Sequence, residues 1–389
     1  MQLRRYVFAL LVVGCVPDGG VRFDAPVSEG GPETGAGDPG TTSGATTGGL
    51  PPTPPPPATT AVTTMMPTTT TDGDDTGEAP VSGTLVPARA TWRYRTTAPA
   101  GDWTAPGHDD AAWLEGAAPF GDAGDIATAV DPASAPVGVW LRRRFVGGPG
   151  PAHLMLYLRR GDGAAVYLNG EELARSNLPA GALAPDTLAE DDLGGAEVER
   201  YLRFVAPATA LRSGDNVVAV TLRRAKPGQV GLTFDLQLDA FALADAPTDA
   251  LTLQWRTRSY GGEYADKNVG AVWIERAGGG FVRTLVLWAD VRRDHLVRWQ
   301  SAGGVETDAV TSATRGSHRT SEAAWDLRDA QGQLAPPGAY RLLIEFTEEN
   351  SNKSDPPGPL LDVPFTLGGP SLPVAPAHPR FRDVLVLAP

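Results

Sequence analysis

From Leu85 onward the chain is cut into short apolar runs by turn-forming residues, and that cadence constrains the fold more than any other feature. Residues 154–160, a Gly161-Asp162-Gly163 turn, residues 164–168, an Asn169-Gly170 turn and residues 171–175 read as consecutive hairpins. Asn-Gly between apolar runs is the sharpest of these signals, because both central residues of a type I′ turn need positive φ. Runs at 91–94, 139–146, 201–205, 216–223 and 230–241 extend the series. Others follow at 251–256, 270–274, 281–288, 323–327, 340–346, 360–367 and 381–387. One stretch departs from it: Trp288, Val291, His295 and Trp299 recur at near-helical spacing. That spacing predicts a short amphipathic helix over 289–300, with His295 on its apolar side as a satisfied core histidine. So many short strands beside one helix predict an all-β protein built of sandwiches or jelly rolls.

Residues 16–85 are a different material, dominated by Gly, Pro, Thr, Ser and Asp. They hold nine carboxylates and one Arg, a net of −8 out of −13 for the whole chain. Apolar content there is too low to offset the entropy of ordering, which predicts a disordered acidic tether. As a random coil it spans about 45 Å. It serves as a plain spacer or, given its Thr and Pro density, an O-glycosylated stalk. The rest of the chain carries ordinary mixed charge with no basic footprint, which excludes nucleic acid as a partner. Cys15 is the single cysteine, so the body has no internal disulfide and must stand on hydrophobic cores. A cysteine zinc site is likewise excluded beyond one ligand.

Arg4-Arg5 followed by the apolar residues 6–13 has the layout of a signal peptide. Eight residues rise only about 12 Å as a helix, against a bilayer core of about 30 Å. The run Leu11-Val12-Val13-Gly14-Cys15 resembles the lipobox of bacterial lipoproteins. The resemblance implies that residues 1–14 are removed, that Cys15 is acylated, and that the body is exported and held to a membrane by its N-terminal lipid. The outer membrane is the preferred site by family habit.

Residues 88–243 resemble the galactose-binding-like jelly-roll modules of exported bacterial enzymes and surface proteins. The resemblance rests on Asp102-Trp103, Asp109-Asp110-Ala111-Ala112-Trp113, Ala118-Pro119-Phe120-Gly121 and the run from Asp162 to Pro179. Residues 141–145, 216–220 and Phe234-Asp235-Leu236 complete it. Where related modules have a His and a Ser-Ser-Asp stretch, this chain has Thr221-Leu222-Arg223-Arg224 and then 229–233. The resemblance therefore implies a fold more than a ligand. Residues 251–389 resemble a bacterial family of predicted periplasmic proteins, through residues 267–273, 281–288, His295-Leu296, Trp299, 308–315 and Trp325. Residues 325–346 are also similar to the Ig-like domain of the flagellar hook-capping protein. The resulting organisation is a signal peptide (1–14), a tether (15–85), a jelly roll (86–243), a linker (244–250) and an Ig-like β-sandwich with one short helix (251–389).

No nucleophile elbow, zincin motif, P-loop or dinucleotide fingerprint is present, and the five histidines are scattered, so the chain reads as a non-enzyme. His108-Asp109-Asp110 offers metal ligands, or a turn in which Asp caps backbone N–H groups while Trp113 packs. Asp122, Asp125 and Asp162 suggest a structural calcium site, provided their oxygens converge. Loops 261–268 and 348–357 would form a recognition surface if they lie at one end of the second sandwich. Asp308-Ala309-Val310-Thr311-Ser312-Ala313-Thr314 resembles the D-x-x-[ST]-G-A-T acceptor of exported flavoproteins, with Ser312 in place of Gly. There the last Thr, here Thr314, is esterified by the phosphate of FMN; the residues themselves also suit a hydroxyl-rich loop bonding its own backbone. The expectation is a non-catalytic, lipid-anchored envelope protein presenting its modules to a glycan or protein. The alternatives are a redox accessory carrying FMN at Thr314 and an accessory subunit of an exported hydrolase.

Overall fold

The computed structural model describes residues 83–122, 124–148, 151, 153–241, 249–304, 310–311, 314–351, 356–369 and 373–389. The signal segment, Cys15, the tether up to residue 82 and the linker residues 244–248 lie outside the described residues. Residues 83–85, assigned to the tether by composition, belong instead to the first strand, where Gly83 and Thr84 pair with Ala240 and Asp239.

The chain is all-β. Its N-terminal half contributes β1 (Gly83–Val86), β2 (Thr91–Arg95), β3 (Leu114–Ala117), β4 (Phe120–Gly121), β5 (Thr128–Ala129) and β6 (Gly138–Gly147). After these come β7 (His153–Gly161), β8 (Gly163–Leu168), β9 (Glu171–Ser176), the turn α1 (Ala196–Glu199), β10 (Tyr201–Pro207), β11 (Gly214–Arg223) and β12 (Thr233–Phe241). One sheet runs β10-β7-β12-β4-β5, with β1 also on β12; the other runs β3-β2-β6-β11-β8-β9. Between them lie Trp92, Phe120, Leu141, Val220, Phe234 and Leu236, with Trp92 edge-on to Phe234 at 5.1 Å. The turn read from Asn169-Gly170 is present, with φ of 52° and 96° at the two residues.

The C-terminal half contributes β13 (Leu251–Thr257), β14 (Val269–Arg276), β15 (Phe281–Leu287), α2 (Val297–Ser301) and β16 (Val310–Thr311). It continues with β17 (Thr320–Trp325), β18 (Gly338–Thr347), β19 (Leu360–Leu367) and β20 (Phe381–Leu387). A three-stranded sheet β17-β13-β20 faces a five-stranded sheet β16-β15-β14-β18-β19 across Trp255, Trp288, Trp325, Ile344 and Phe346. The predicted helix over 289–300 is broken in two: a 3-10 segment, Asp290–His295, then α2, with non-helical backbone at Leu296 (φ −90°, ψ 77°). The buried Glu345 carboxylate explains the restart, since it accepts from the N–H groups of Arg298 (3.1 Å) and Trp299 (3.0 Å). Val291, expected on the apolar stripe, is 83% exposed.

The two sandwiches meet through Met155, Phe241, Leu385 and Leu387, flanked by a buried ionic lattice. Arg160 on β7 reaches Glu197 of α1 and Asp383 of β20, both at 3.3 Å. Arg256 on β13 reaches the same Asp383 oxygen at 3.2 Å and Asp191 at 3.0 Å. Burial alone would raise the Asp383 carboxyl, but Arg256 and Arg160 hold it below the usual carboxylate range. Glu197 closes the lattice by accepting from the Thr320 N–H (2.9 Å) and hydroxyl (2.7 Å).

Candidate functional site

The polar loops of the C-terminal sandwich come together on one residue, Glu348. This residue follows β18 directly, where the strand's inward alternation carries a carboxylate into a nearly closed space. Its Oε2 accepts from the backbone N–H of Tyr260 (3.0 Å) and of Gly262 (3.1 Å), and its Oε1 meets His318 Nε2 at 2.7 Å. The main chain of the loop adds Tyr264 N–H to Glu348 C=O at 2.9 Å, and the Asn350 side chain donates to the Tyr264 hydroxyl at 2.6 Å. The described parts of loops 261–268 and 348–357 therefore do form one corner.

A third segment, 314–320, joins the same corner. Asn268 and Arg315 exchange two backbone hydrogen bonds of 2.9 Å each. The Asn268 side chain accepts from Trp288 Nε1 at 2.9 Å, and the Arg315 guanidinium sits 4.2 Å from the centre of the Trp288 ring. Three residues later His318 turns inward. Its Nδ1 lies 2.7 Å from the Thr257 hydroxyl while Nε2 faces Glu348.

Burial pushes the His318 pKa down against the opposing pull of Glu348, so the imidazole is neutral at neutral pH. Burial would raise Glu348, but hydrogen bonds from Ser259, Gly262, Tyr260 and His318 outweigh it and leave it below its ordinary value. An ionised carboxylate beside a neutral imidazole assigns the protons: Nε2–H donates to Glu348, and Nδ1 accepts from Thr257. Every polar atom of this Thr257–His318–Glu348 relay is thereby partnered. His318→Ala should cost about 1–3 kcal/mol by leaving Thr257 and one Glu348 oxygen unsatisfied, read as a lower urea midpoint. No sequence spacing announced the relay, because its members lie 30 and 61 residues apart.

Thr314 stands at the rim of this corner and is exposed. Asp308 and Ser312, the other defining residues of the flavin-acceptor pattern, lie outside the described residues. In the N-terminal sandwich, His108-Asp109-Asp110 leads into a turn that Trp113 N–H closes on the Asp110 carbonyl at 3.1 Å. Asp109 accepts from the Ala111 N–H at 3.0 Å, and Asp110 pairs with buried Arg142 at 2.9 Å, while Trp113 packs edge-on to His108. Asp122, Asp125 and Asp162 do not converge, because each is already engaged by the protein. Asp122 binds Arg224 at 2.6 Å, Asp125 pairs with Arg89, and Asp162 accepts from the N–H groups of Leu193 and Ala225, each at 2.8 Å. Among the described residues no three His, Cys, Asp or Glu side chains are placed to hold a metal ion. His295 is half-buried rather than in the core, and its Nδ1 lies 2.7 Å from the Ser351 carbonyl. At the point of departure from the jelly-roll pattern, Arg223 stacks over Trp140 at 4.6 Å, and burial brings its pKa down to about 10. Its neighbour Arg224 is committed to Asp122 and the Ala135 carbonyl.

Residues 251–371 match a family described as predicted periplasmic protein, DUF2271. That match covers 121 of the 389 residues and includes the Glu348 corner. No curated protein matches the chain. Among solved structures, it is similar to a glycosyl hydrolase family 2 member from Bacteroides cellulosilyticus: 11% identity, TM-score 0.27, over 75% of this chain and 37% of that one. It is also similar to Bacteroides uniformis β-glucuronidase 2, with 14% identity and TM-score 0.30 over 74% and 32%. Bifidobacterium dentium β-glucuronidase gives 15% identity and TM-score 0.26 over 76% and 50%. The chain spans a third to a half of those proteins, and likeness at this level carries no argument about activity. Among the described residues no helix is long and apolar enough to cross a membrane.

Proposed function

We propose that this chain is an exported, lipid-anchored envelope protein that binds rather than catalyses, and that the Glu348 corner is its presenting surface. One observation carries the reading: three polar segments distant in sequence converge on a single satisfied carboxylate, which holds exposed side chains on a rigid base. In this reading Cys15 bears the lipid, the acidic tether lifts the body from the membrane, and the N-terminal jelly roll serves as a second, galactose-binding-like module. The partner is a glycan or an envelope protein. The test is a glycan array and a defined set of envelope proteins probed with the wild-type chain and with Glu263→Ala/Asp266→Ala, both exposed on the corner. Binding that falls at least tenfold in the variant, about 1.4 kcal/mol, supports the corner; binding unchanged by it sinks the assignment.

A second reading has its own observation. Thr314 presents an exposed hydroxyl beside Arg315, so an FMN phosphate esterified there would sit next to a cation held on Trp288. The bound flavin would supply electron transfer, and this chain's residues would fix the attachment point. Intact mass after co-expression with a flavin transferase decides it. One added FMN, absent in Thr314→Ala, is the expected result for the redox reading, and an unmodified mass rejects it. The same spectrum reports whether the chain starts at an acylated Cys15.

A further inference from the structure

Six arginines among the described residues are closed to solvent, and a buried guanidinium is costly without a counter-charge. Five have one: Arg142 meets Asp110, Arg159 meets Glu199, Arg160 meets Glu197, Arg224 meets Asp122 and Arg256 meets Asp383. Arg223 on β11 is the exception. Its described partners are the Pro185 carbonyl and the Trp140 ring. Its neighbours across β6 and β8 are Gly138 and Gly163, so neither strand sets a carboxylate beside it. Burial brings its pKa down to about 10 against the pull of Tyr167 and Asp186, which still leaves it charged at neutral pH.

Only one nitrogen of this guanidinium is used. Nη1 donates to the Pro185 carbonyl at 2.6 Å, Nε is closed off with no hydrogen bond, and Nη2 makes none either. Nε–H and Nη2–H together form the fork that grips a planar carboxylate with two parallel hydrogen bonds. Two residues back on the same face of β11, the Thr221 hydroxyl is likewise buried and unpartnered. This face is turned away from the core, and two loops meet it. Loop 101–106 sets Trp103 edge-on to Tyr167 at 5.8 Å, both rings half-buried. Segment 181–186 is largely exposed, and the Pro185 carbonyl is its one described hydrogen bond to the sheet. A carboxylate that lifts this segment exchanges one hydrogen bond for two and supplies the missing counter-charge.

We propose that Arg223 anchors a subsite for an acidic oligosaccharide, whose carboxylate takes the Nε–Nη2 fork, whose hydroxyls meet Thr221 and whose neighbouring units lie against Trp103 and Tyr167. Aromatic walls around a few convergent polar groups are the usual make-up of a small-molecule site. The inference rests on the binding reading above and gives the N-terminal module its ligand class, at a site separate from the Glu348 corner. A panel of uronic-acid oligosaccharides, each paired with its methyl ester, is titrated into the full chain. The acids should bind, and the esters about tenfold more weakly, because the ester keeps the ring and removes the charge. Arg223→Met keeps an unbranched chain over Trp140 and deletes the fork. It should bind the acids about tenfold more weakly while its urea midpoint holds or rises, since an unpaired buried charge is gone. Acids and esters that bind wild type alike would overturn the proposal, as would a panel without a binder. So would an Arg223→Met chain that binds like wild type or unfolds at a lower midpoint. Polyglutamate that competes as well as the sugar acids would assign the fork to an acidic protein and overturn the saccharide. Glycan or protein binding that responds only to the Glu263→Ala/Asp266→Ala variant would keep the binding reading and remove the Arg223 subsite.

Discussion

Asp383→Ala is expected to destabilise the folded body by about 3–5 kcal/mol, seen as a lower urea midpoint at unchanged slope. The substitution takes from Arg160 and Arg256, both essentially closed to solvent, the oxygen they share, leaving each with a single carboxylate partner, Glu197 and Asp191. Arg160 keeps Glu197 and the Ser176 hydroxyl, but its Nη1 already lacks a partner. Adding Arg256→Met to Asp383→Ala should recover part of the loss, because it removes one of the two buried guanidiniums left short of a partner and leaves Asp191 its solvent. The pH dependence has a definite sign. The folded-state pKa of Asp383 is depressed, so its contribution is complete above the unfolded value near 4 and disappears as pH falls through the folded one. The stability gap between wild type and Asp383→Asn should therefore be widest near neutrality and close in acid. A gap that widens in acid would contradict the lattice geometry.

Trp288→Ala is expected to cost a similar amount, about 3–5 kcal/mol, for a fully buried indole. Its second consequence is local. The indole N–H is bound to Asn268, and the ring supports the Arg315 guanidinium, so the substitution unpins the segment leading from Thr314 to Thr320. Trypsin should cut after Arg315 and Arg319 faster in Trp288→Ala than in Trp255→Ala. The second variant loses a neighbouring buried Trp, 6.2 Å away, without loosening Asn268. Equal cutting in the two variants would show that the corner does not depend on this pair.

Much of the strand pattern was legible because half-buried strands write their burial into alternate residues. Leu360–Leu367, whose residues alternate between buried and exposed, falls where it was expected, and so does the more continuously buried Phe381–Leu387. Asn169-Gly170 announced its turn through the φ values it alone tolerates easily. Less legible was anything set by a distant partner. Glu345 divides the 289–300 stretch from 46 and 47 residues away, and no local periodicity records that carboxylate. The candidate calcium carboxylates looked alike in sequence, yet Arg224, Arg89 and backbone amides had claimed each of them. Loops 261–268 and 348–357 were recognisable as polar; that they share Glu348 depends on β18 lying beside β14, a pairing set by the whole sheet. Thr257 and His318 carried no mark at all.

The ionic lattice also bears on how long the body survives. Arg160 and Asp383 are separated by 223 residues, and Arg256 and Asp383 by 127. Closing loops of that length is entropically late, so each sandwich can collapse on its local hairpins before these charges meet. Groups that pair only after the rate-limiting barrier leave the folding rate alone and set the unfolding rate instead. Loss of Asp383 should then show in stopped-flow traces as a steeper escape from the native state with little change in the refolding phase. In a protease-rich surrounding, that escape rate fixes the protein's working lifetime.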